Sequence, residues 1–214
     1  MSRDEELLSR IEQLIQELLQ LIGENAEREG LRETPKRVAR TLLYELLCGY
    51  KIDPKQYLKS FSLDDADEVG VIKADSFVVV MNIPIRSLCE HHLLPIIGLA
   101  HIAYIPSERV LGISKFARIV DAFARRLQIQ ERFTDQIADF IYREISPEGV
   151  LVLTEAIHLC TIIRGIQEPL KSITIAHRGR FTKDLNLRLQ ALTVISMNRT
   201  RDSVLVNIEK YLSI

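Results

Sequence analysis

The 214-residue sequence predicts an α+β fold, and three observations carry the assignment. Apolar residues recur at helical spacing near the N-terminus, and runs rich in β-branched residues follow in the middle of the chain. Two further helical periods then stand between those runs and a second pair of strand-like segments. Hydrophobic residues make up 47% of the chain, enough for one core, and charged residues 27%. Lys and Arg number 28 against 29 Asp and Glu, a net charge of −1. That balance argues against binding nucleic acid or an acidic membrane by bulk charge, so any anion site must be local.

Between Glu5 and Ile22, Leu8, Ile11, Ile15, Leu18 and Ile22 form one stripe, widened by Leu7, Leu14 and Leu19. This is an amphipathic helix closed by Gly23, facing either its own domain or a neighbouring subunit. Thr34-Pro35 reads as a hydroxyl cap followed by a proline in the first turn, opening a helix with Val38, Leu42, Leu46 and Leu47 inward and Gly49 at its end. After an acidic loop, Asp64 to Glu68, the segments Val69 to Asn82 and Leu99 to Ile105 read as strands, with a turn from Pro106 to Arg109. Ser114 is placed to cap a helix reaching Leu127, and a second helix runs from Thr134 to Ile145 before Pro147-Glu148-Gly149 breaks it. Val150 to His158 and Ser172 to His177 are expected strands, and Lys183 to Leu192 a short helix. The parse is a helical extension over residues 1–59 and an α+β domain over 60–214.

No secretory signal or membrane-spanning run is legible, and three cysteines, Cys48, Cys89 and Cys160, do not make a disulfide framework. A reducing cytoplasm is expected, which leaves the thiols for metal or catalysis.

Four metal-capable side chains stand consecutively in Cys89-Glu90-His91-His92. On a turn Cys89 and His92 share a side, whereas on a strand Cys89 would share a face with His91; Pro84 and Pro95 favour the turn. A Cys/His pair recurs at His158-Leu159-Cys160, where strand alternation would put both on one face. Two thiolates and one imidazole make a three-ligand zinc site with an open fourth position, and the remaining histidines, His91 and His158, are left to handle protons. Ser114, Lys115 and Arg118 cluster at a helix start, which favours phosphate, although from spacing alone a solvated basic face with an ordinary Ser cap is the more common arrangement.

Together these residues resemble the GTP cyclohydrolase I family. Cys89-Glu90-His91-His92, Ile113-Ser114-Lys115, Arg126-Leu127-Gln128-Ile129-Gln130-Glu131-Arg132, His158-Leu159-Cys160 and Arg164-Gly165 stand in that family's order, and residues 28–38 are similar to its second-helix signature. The resemblance covers about Gly23 to Phe181. It implies the tunnelling fold, an antiparallel sheet with two packed helices, assembled as a homodecamer with sites at subunit boundaries.

The same resemblance implies zinc on Cys89, His92 and Cys160, with His91 and His158 as proton-transfer groups. Glu131, beside Gln130, would meet the guanine edge, where a carboxylate suits the ring N1–H and amino group that donate side by side. Ser114, Lys115, Arg118 and Arg164 would lie near the triphosphate. The implied reaction is attack of zinc-activated water on C8 of GTP, release of formate and reclosure to 7,8-dihydroneopterin triphosphate. His158 would protonate the opening imidazole ring and His91 would help open the ribose. Departures include Thr161 in place of a common methionine, Ile96 in place of a phenylalanine, and a C-terminal stretch continuing through Arg199, Thr200 and Arg201 to Ile214. The rivals are a same-fold enzyme acting on another purine or pterin, and a catalytically silent zinc module.

Overall fold

A computed structural model of the chain describes residues 2–62 and 76–198. The expected acidic loop, the first part of the expected strand from Val69, and the stretch from Arg199 onward lie outside the described residues.

Helix α1 (Arg3–Leu21) opens on a capping box: Ser2 Oγ accepts from Glu5 N–H while Glu5 accepts from Ser2 N–H. It packs on α2 (Thr34–Arg40), and none of its residues is buried, so Leu7, Leu14, Leu18 and Leu21 remain exposed. Thr34 is not the cap of α2; it is the first helical residue, and its hydroxyl donates to Gly30 O. The helix expected to reach Gly49 instead changes form: α2 passes into a π turn (Thr41–Leu46) and a 3-10 turn (Cys48–Lys51). Gly49 explains the tight ending, since a Cβ there would meet Ala122 O at 2.4 Å. The carbonyls of Gly49 and Ile52 accept from the Arg126 guanidinium, which ties this segment to the domain behind it.

Among the described residues, seven strands follow in two sheets. Strands β1 (Ser60–Ser62) and β4 (Arg109–Leu111) pair antiparallel as a small flap. The main sheet has the order β5-β2-β3-β6-β7, from β2 (Val78–Cys89), β3 (Pro95–Ile105), β5 (Leu127–Gln128), β6 (Gly149–His158) and β7 (Lys171–Gly179). It is mixed rather than wholly antiparallel, because β5 runs parallel to the end of β2 at Leu88 and Cys89. β2 runs on past the expected end at Asn82 to Cys89, β3 begins at Pro95 ahead of the expected Leu99, and the two meet in a hairpin at the cysteine and histidine cluster. Pro84 lies inside β2, opposite Leu99, and not in a turn. A proline is tolerated there because β2 has no neighbour on its outer side at that level among the described strands.

Helices α3 (Ile113–Ala124) and α4 (Gln130–Ile145) cover one face of the sheet. Phe116, Ile119, Val120 and Phe123 of α3 and Phe133, Ile137 and Ile141 of α4 pack with Ile83, Ile85, Ile102 and Val152. Each such side chain contributes about 1.5–3 kcal/mol when fully buried. Gly112, not Ser114, precedes α3, and no side chain caps it. The second helix begins at Gln130, four residues before Thr134. On the opposite face α6 (Arg180–Lys183) and α7 (Leu185–Met197) replace the single helix expected at 183–192, with Phe181, Leu187, Ala191 and Ile195 against Ala103, Ile105, Leu151 and Leu153. Asp184 caps α7 by accepting from Leu187 N–H at 3.0 Å.

One buried polar group belongs to this scaffold. His101 Nδ1 accepts from Asn82 N–H at 3.4 Å, so its Nε2 carries the proton and donates to Glu155 Oε1 at 3.2 Å; Lys171 Nζ stands 3.0 Å from the other oxygen. Asn82 adopts φ +58 at the irregularity of β2, a conformation asparagine tolerates. Among the described residues, no helix is long and apolar enough to cross a membrane.

Candidate active site

The site forms where β2, β3 and β6 come to their ends on one side of the sheet. β2 finishes at Cys89, and the loop Glu90-His91-His92-Leu93 returns the chain to β3. Cys89 N–H donates to Leu94 O at 2.8 Å and Cys89 O accepts from Leu93 N–H at 2.8 Å, closing a compact hairpin. Leu93 adopts φ +55, rare for a branched side chain. This turn brings the His92 ring back over Cys89, with Nδ1 4.0 Å from Sγ.

The second cysteine arrives differently from the strand alternation expected for it. β6 ends at His158, and Cys160 sits in a single helical turn, α5 (Leu159–Ile162). The Thr161 hydroxyl lies 2.9 Å from His158 O and 3.2 Å from Glu168 O, so the residue that departs from the family pattern helps to hold the turn. Cys160 Sγ then lies 3.9 Å from Cys89 Sγ. β3 and β6 pair Ile96 with His158, and Ile96 and Ala156 floor the two thiols with apolar surface.

The sulfurs of Cys89 and Cys160 and a ring nitrogen of His92 all lie within 4.8 Å of one another. That spacing suits a tetrahedral ion with metal–sulfur distances of about 2.3 Å and metal–nitrogen distances of about 2.0 Å. Burial and the neighbouring Cys89 push the Cys160 thiol pKa up, which is the cost of placing two potential thiolates side by side; a cation between them would remove it. The donor set and its spacing therefore fit a divalent ion of the zinc class.

His158 stands beside the cluster and is not part of it. Its Nε2 lies 2.9 Å from Gln130 Oε1. Burial pushes its pKa below the usual histidine value, and the Glu131 carboxylate works weakly the other way. Glu131 is exposed on the first turn of α4, while Gln130 is buried behind it. His91 is exposed, its ring meeting that of His92 edge-on with centroids 6.2 Å apart. Arg164, in the loop between α5 and β7, places its guanidinium on His92 Nε2.

The other anion-binding candidates are elsewhere on the same chain. Phe116 packs on Tyr104 with ring centroids 5.0 Å apart, which puts its neighbours Ser114 and Lys115 near the far end of β3. Tyr104 is nine residues from Pro95, or about 30 Å along the strand. Arg118 lines a cavity of about 250 Å³ with Arg86, Arg125 and Ile83, partway back along β2. So one copy of the chain brings together Cys89, His91, His92, Gln130, Glu131, His158, Cys160 and Arg164, and holds Ser114, Lys115 and Arg118 apart.

Two supports had no signal of their own in the sequence. Arg132 pairs with Glu90 and donates to Leu127 O at 2.9 Å, clamping the hairpin loop to the start of α4. Thr154, inside β6, is fully buried against Gln130.

A sheet backed by two helices, with a Cys₂His cluster able to hold a metal ion at its edge and a separate half-buried histidine alongside, defines an α+β enzyme with its chemistry at the strand ends. The GTP cyclohydrolase I family model matches residues 11–196, and the chain belongs to that family, with its α+β tunnelling fold. The curated GTP cyclohydrolase 1 of Pelotomaculum thermopropionicum is 46% identical over 188 residues, covering 87% of this chain and 95% of the relative. Those of Caldanaerobacter subterraneus, at 44% over 192 residues (89% and 97%), and Saccharolobus islandicus, at 47% over 182 residues (83% and 86%), are similar to it as well.

Proposed function

We propose that this chain is a zinc-dependent GTP cyclohydrolase I that converts GTP and water to 7,8-dihydroneopterin triphosphate and formate, the first step of a tetrahydrofolate or pterin pathway. The observation that carries the proposal is the convergence of Cys89, His92 and Cys160 beside a hydrogen-bonded His158, in a chain of this family. A zinc ion held by those three side chains would supply a Lewis acid that lowers the pKa of a water molecule to about 7.

The chain's own residues do the rest. His158, kept neutral by burial, is suited to take a proton from the attacking water and return it to the imidazole nitrogen of the purine as each C8–N bond breaks. Exposed His91, whose ring meets that of His92 edge-on, is the proton-transfer group for opening the ribose. The Glu131 carboxylate accepts from guanine N1–H and the exocyclic amino group together. Were an ion held by His92 through Nδ1, Nε2 would carry a proton and could no longer accept from Arg164, which would leave this arginine for the substrate phosphates.

Ser114, Lys115 and Arg118 serve the triphosphate of a neighbouring copy, since they are remote from the cluster of their own chain. This reading goes with a homo-oligomer, a decamer in the family, in the cytoplasm. Exposed Ile173 and Ile175 on edge strand β7, and the stripe of α1, supply apolar surface for it. Residues 1–59 act as the helical extension of a catalytic domain over 60–214.

Incubating the zinc-loaded protein with GTP, while following formate and pteridine absorbance together, tests the reaction. Both products are expected; neither, from folded and metal-loaded protein, would reject it. Glu131→Gln is expected to lower discrimination of GTP over ATP by at least about tenfold in kcat/KM, because an amide presents one acceptor and two misplaced donors. Unchanged discrimination would remove Glu131 from the guanine site.

A further inference from the structure

We propose that Gln130 is a positioning residue whose side-chain amide, anchored on Thr154 and Ser172, holds the neutral His158 imidazole as the Nε2–H tautomer and leaves Nδ1 bare for the reacting purine. The inference rests on the reading of His158 as a proton-transfer group. It departs from the resemblance, which groups Gln130 with the substrate contacts.

The argument begins with which way the amide points. Gln130 is 3% exposed, so its polar atoms must find partners within the protein. Its Nε2 lies 3.2 Å from Thr154 O, 3.2 Å from Thr154 Oγ1 and 3.1 Å from Ser172 O. Two of these are backbone carbonyls, which only accept. Turning the amide over would set Oε1 against both carbonyl oxygens, so the NH₂ group must face β6 and β7. Oε1 then faces His158 Nε2 at 2.9 Å as an acceptor, and Nε2 must carry the hydrogen.

The anchor is itself braced. Thr154 and Thr174 stand opposite each other in the β6–β7 pairing, with their hydroxyl oxygens 2.7 Å apart. Thr134, one turn along α4 from Gln130, lies 2.8 Å from Thr154 Oγ1 and 2.6 Å from Thr174 Oγ1. Its hydroxyl also lies 2.8 Å from Gln130 O. Three hydroxyls have three protons for four such contacts. The two Gln130 amide hydrogens serve Thr154 O, Thr154 Oγ1 and Ser172 O, so one of them is shared between acceptors. Helix α4 and two strands thus converge on one side chain whose remaining function is to accept from His158. Such a partner fixes tautomer and ring plane together, as acceptors behind functional histidines do.

A substrate contact and a positioning residue predict different kinetics. Loss of a guanine contact that binds ground and transition states alike raises KM, whereas loss of His158 positioning lowers kcat. In zinc-loaded Gln130→Leu, kcat is expected to fall by about tenfold or more with KM for GTP changed less than about threefold. An independent readout is solid-state ¹⁵N NMR of histidine-labelled, zinc-loaded protein at about pH 8, where neutral imidazole prevails. His158 is assigned by difference from His158→Asn.

Wild type should show the hydrogen on Nε2, and Gln130→Leu should show a mixture or the Nδ1–H form. Hydrogen on Nδ1 in wild type would overturn the proposal, and this measurement needs no variant of Gln130. An unchanged tautomer in folded Gln130→Leu, or a raised KM at constant kcat, would overturn it too. If the spectra behave as expected but His158→Ala retains full turnover, the orientation stands and the proton-transfer reading is what fails.

Discussion

Replacing His158 with alanine leaves zinc in place and lowers kcat by about 10²–10⁴-fold, the range lost with a positioned general acid. The prediction separates two residues only two positions apart. Cys160 lies 3.9 Å from Cys89 and joins the cluster, whereas the His158 ring is engaged by Gln130. Metal analysis of the purified variant alongside formate release checks both halves. Stoichiometric zinc with lost turnover is the expected pair of results; loss of zinc would show that the histidine, and not its neighbour, is a ligand. Removing the ring also leaves Gln130 Oε1 facing a cavity, so thermal stability should fall by about 1–3 kcal/mol, the cost of one unsatisfied buried acceptor.

The second large effect is expected at Cys160 itself. Cys160→Ser substitutes a poor, protonated oxygen donor for a thiolate and leaves only Cys89 and His92. Both tight zinc binding and turnover are expected to disappear. A chelator provides the internal comparison: it should lower the melting temperature of wild type, because an ion that binds only the folded state stabilises it by mass action, and leave Cys160→Ser unchanged. A variant that retains zinc and turnover would show that the ion is held elsewhere.

Much of the candidate site was legible in the sequence because its residues fall in two short clusters. Cys89 and His92 sit in one hairpin loop, and His158 and Cys160 at one strand end. The spacing argument for Cys160 was nevertheless incorrect in mechanism. Alternation along a strand was expected to align it with His158, but the strand stops at His158 and a helical turn carries the cysteine to Cys89. Caps misled for a related reason. Thr34 has the right side chain one position too far along and Ser114 two, and local composition does not mark where backbone dihedrals change.

Pro84 was read as a turn signal because a proline excludes a central strand; only the sheet order shows that β2 is an outer strand at that level. The parallel pairing of the two-residue β5 with β2, and the Thr134, Thr154 and Thr174 cluster, depend on contacts between distant segments. No window of sequence contains them. The remoteness of Ser114 and Lys115 from the cysteines is likewise a property of topology, since their place in the chain, between the two halves of the cluster, says nothing of where α3 begins against the sheet.

The 71-residue separation of Cys89 and Cys160 has a consequence for how the protein is made. A chain synthesised from its N-terminus presents Cys89 and His92 long before Cys160 leaves the ribosome. In that interval the hairpin offers two of three donors, too few for selective capture of a scarce ion. Only when β6 has paired with β3, and the following turn has closed, are all three donors assembled. Metal acquisition at this cluster would therefore be a checkpoint on completed folding: an ion retained through purification would report that both halves of the sheet have joined, and a nascent or truncated chain ending before residue 160 would offer it only two of the three donors.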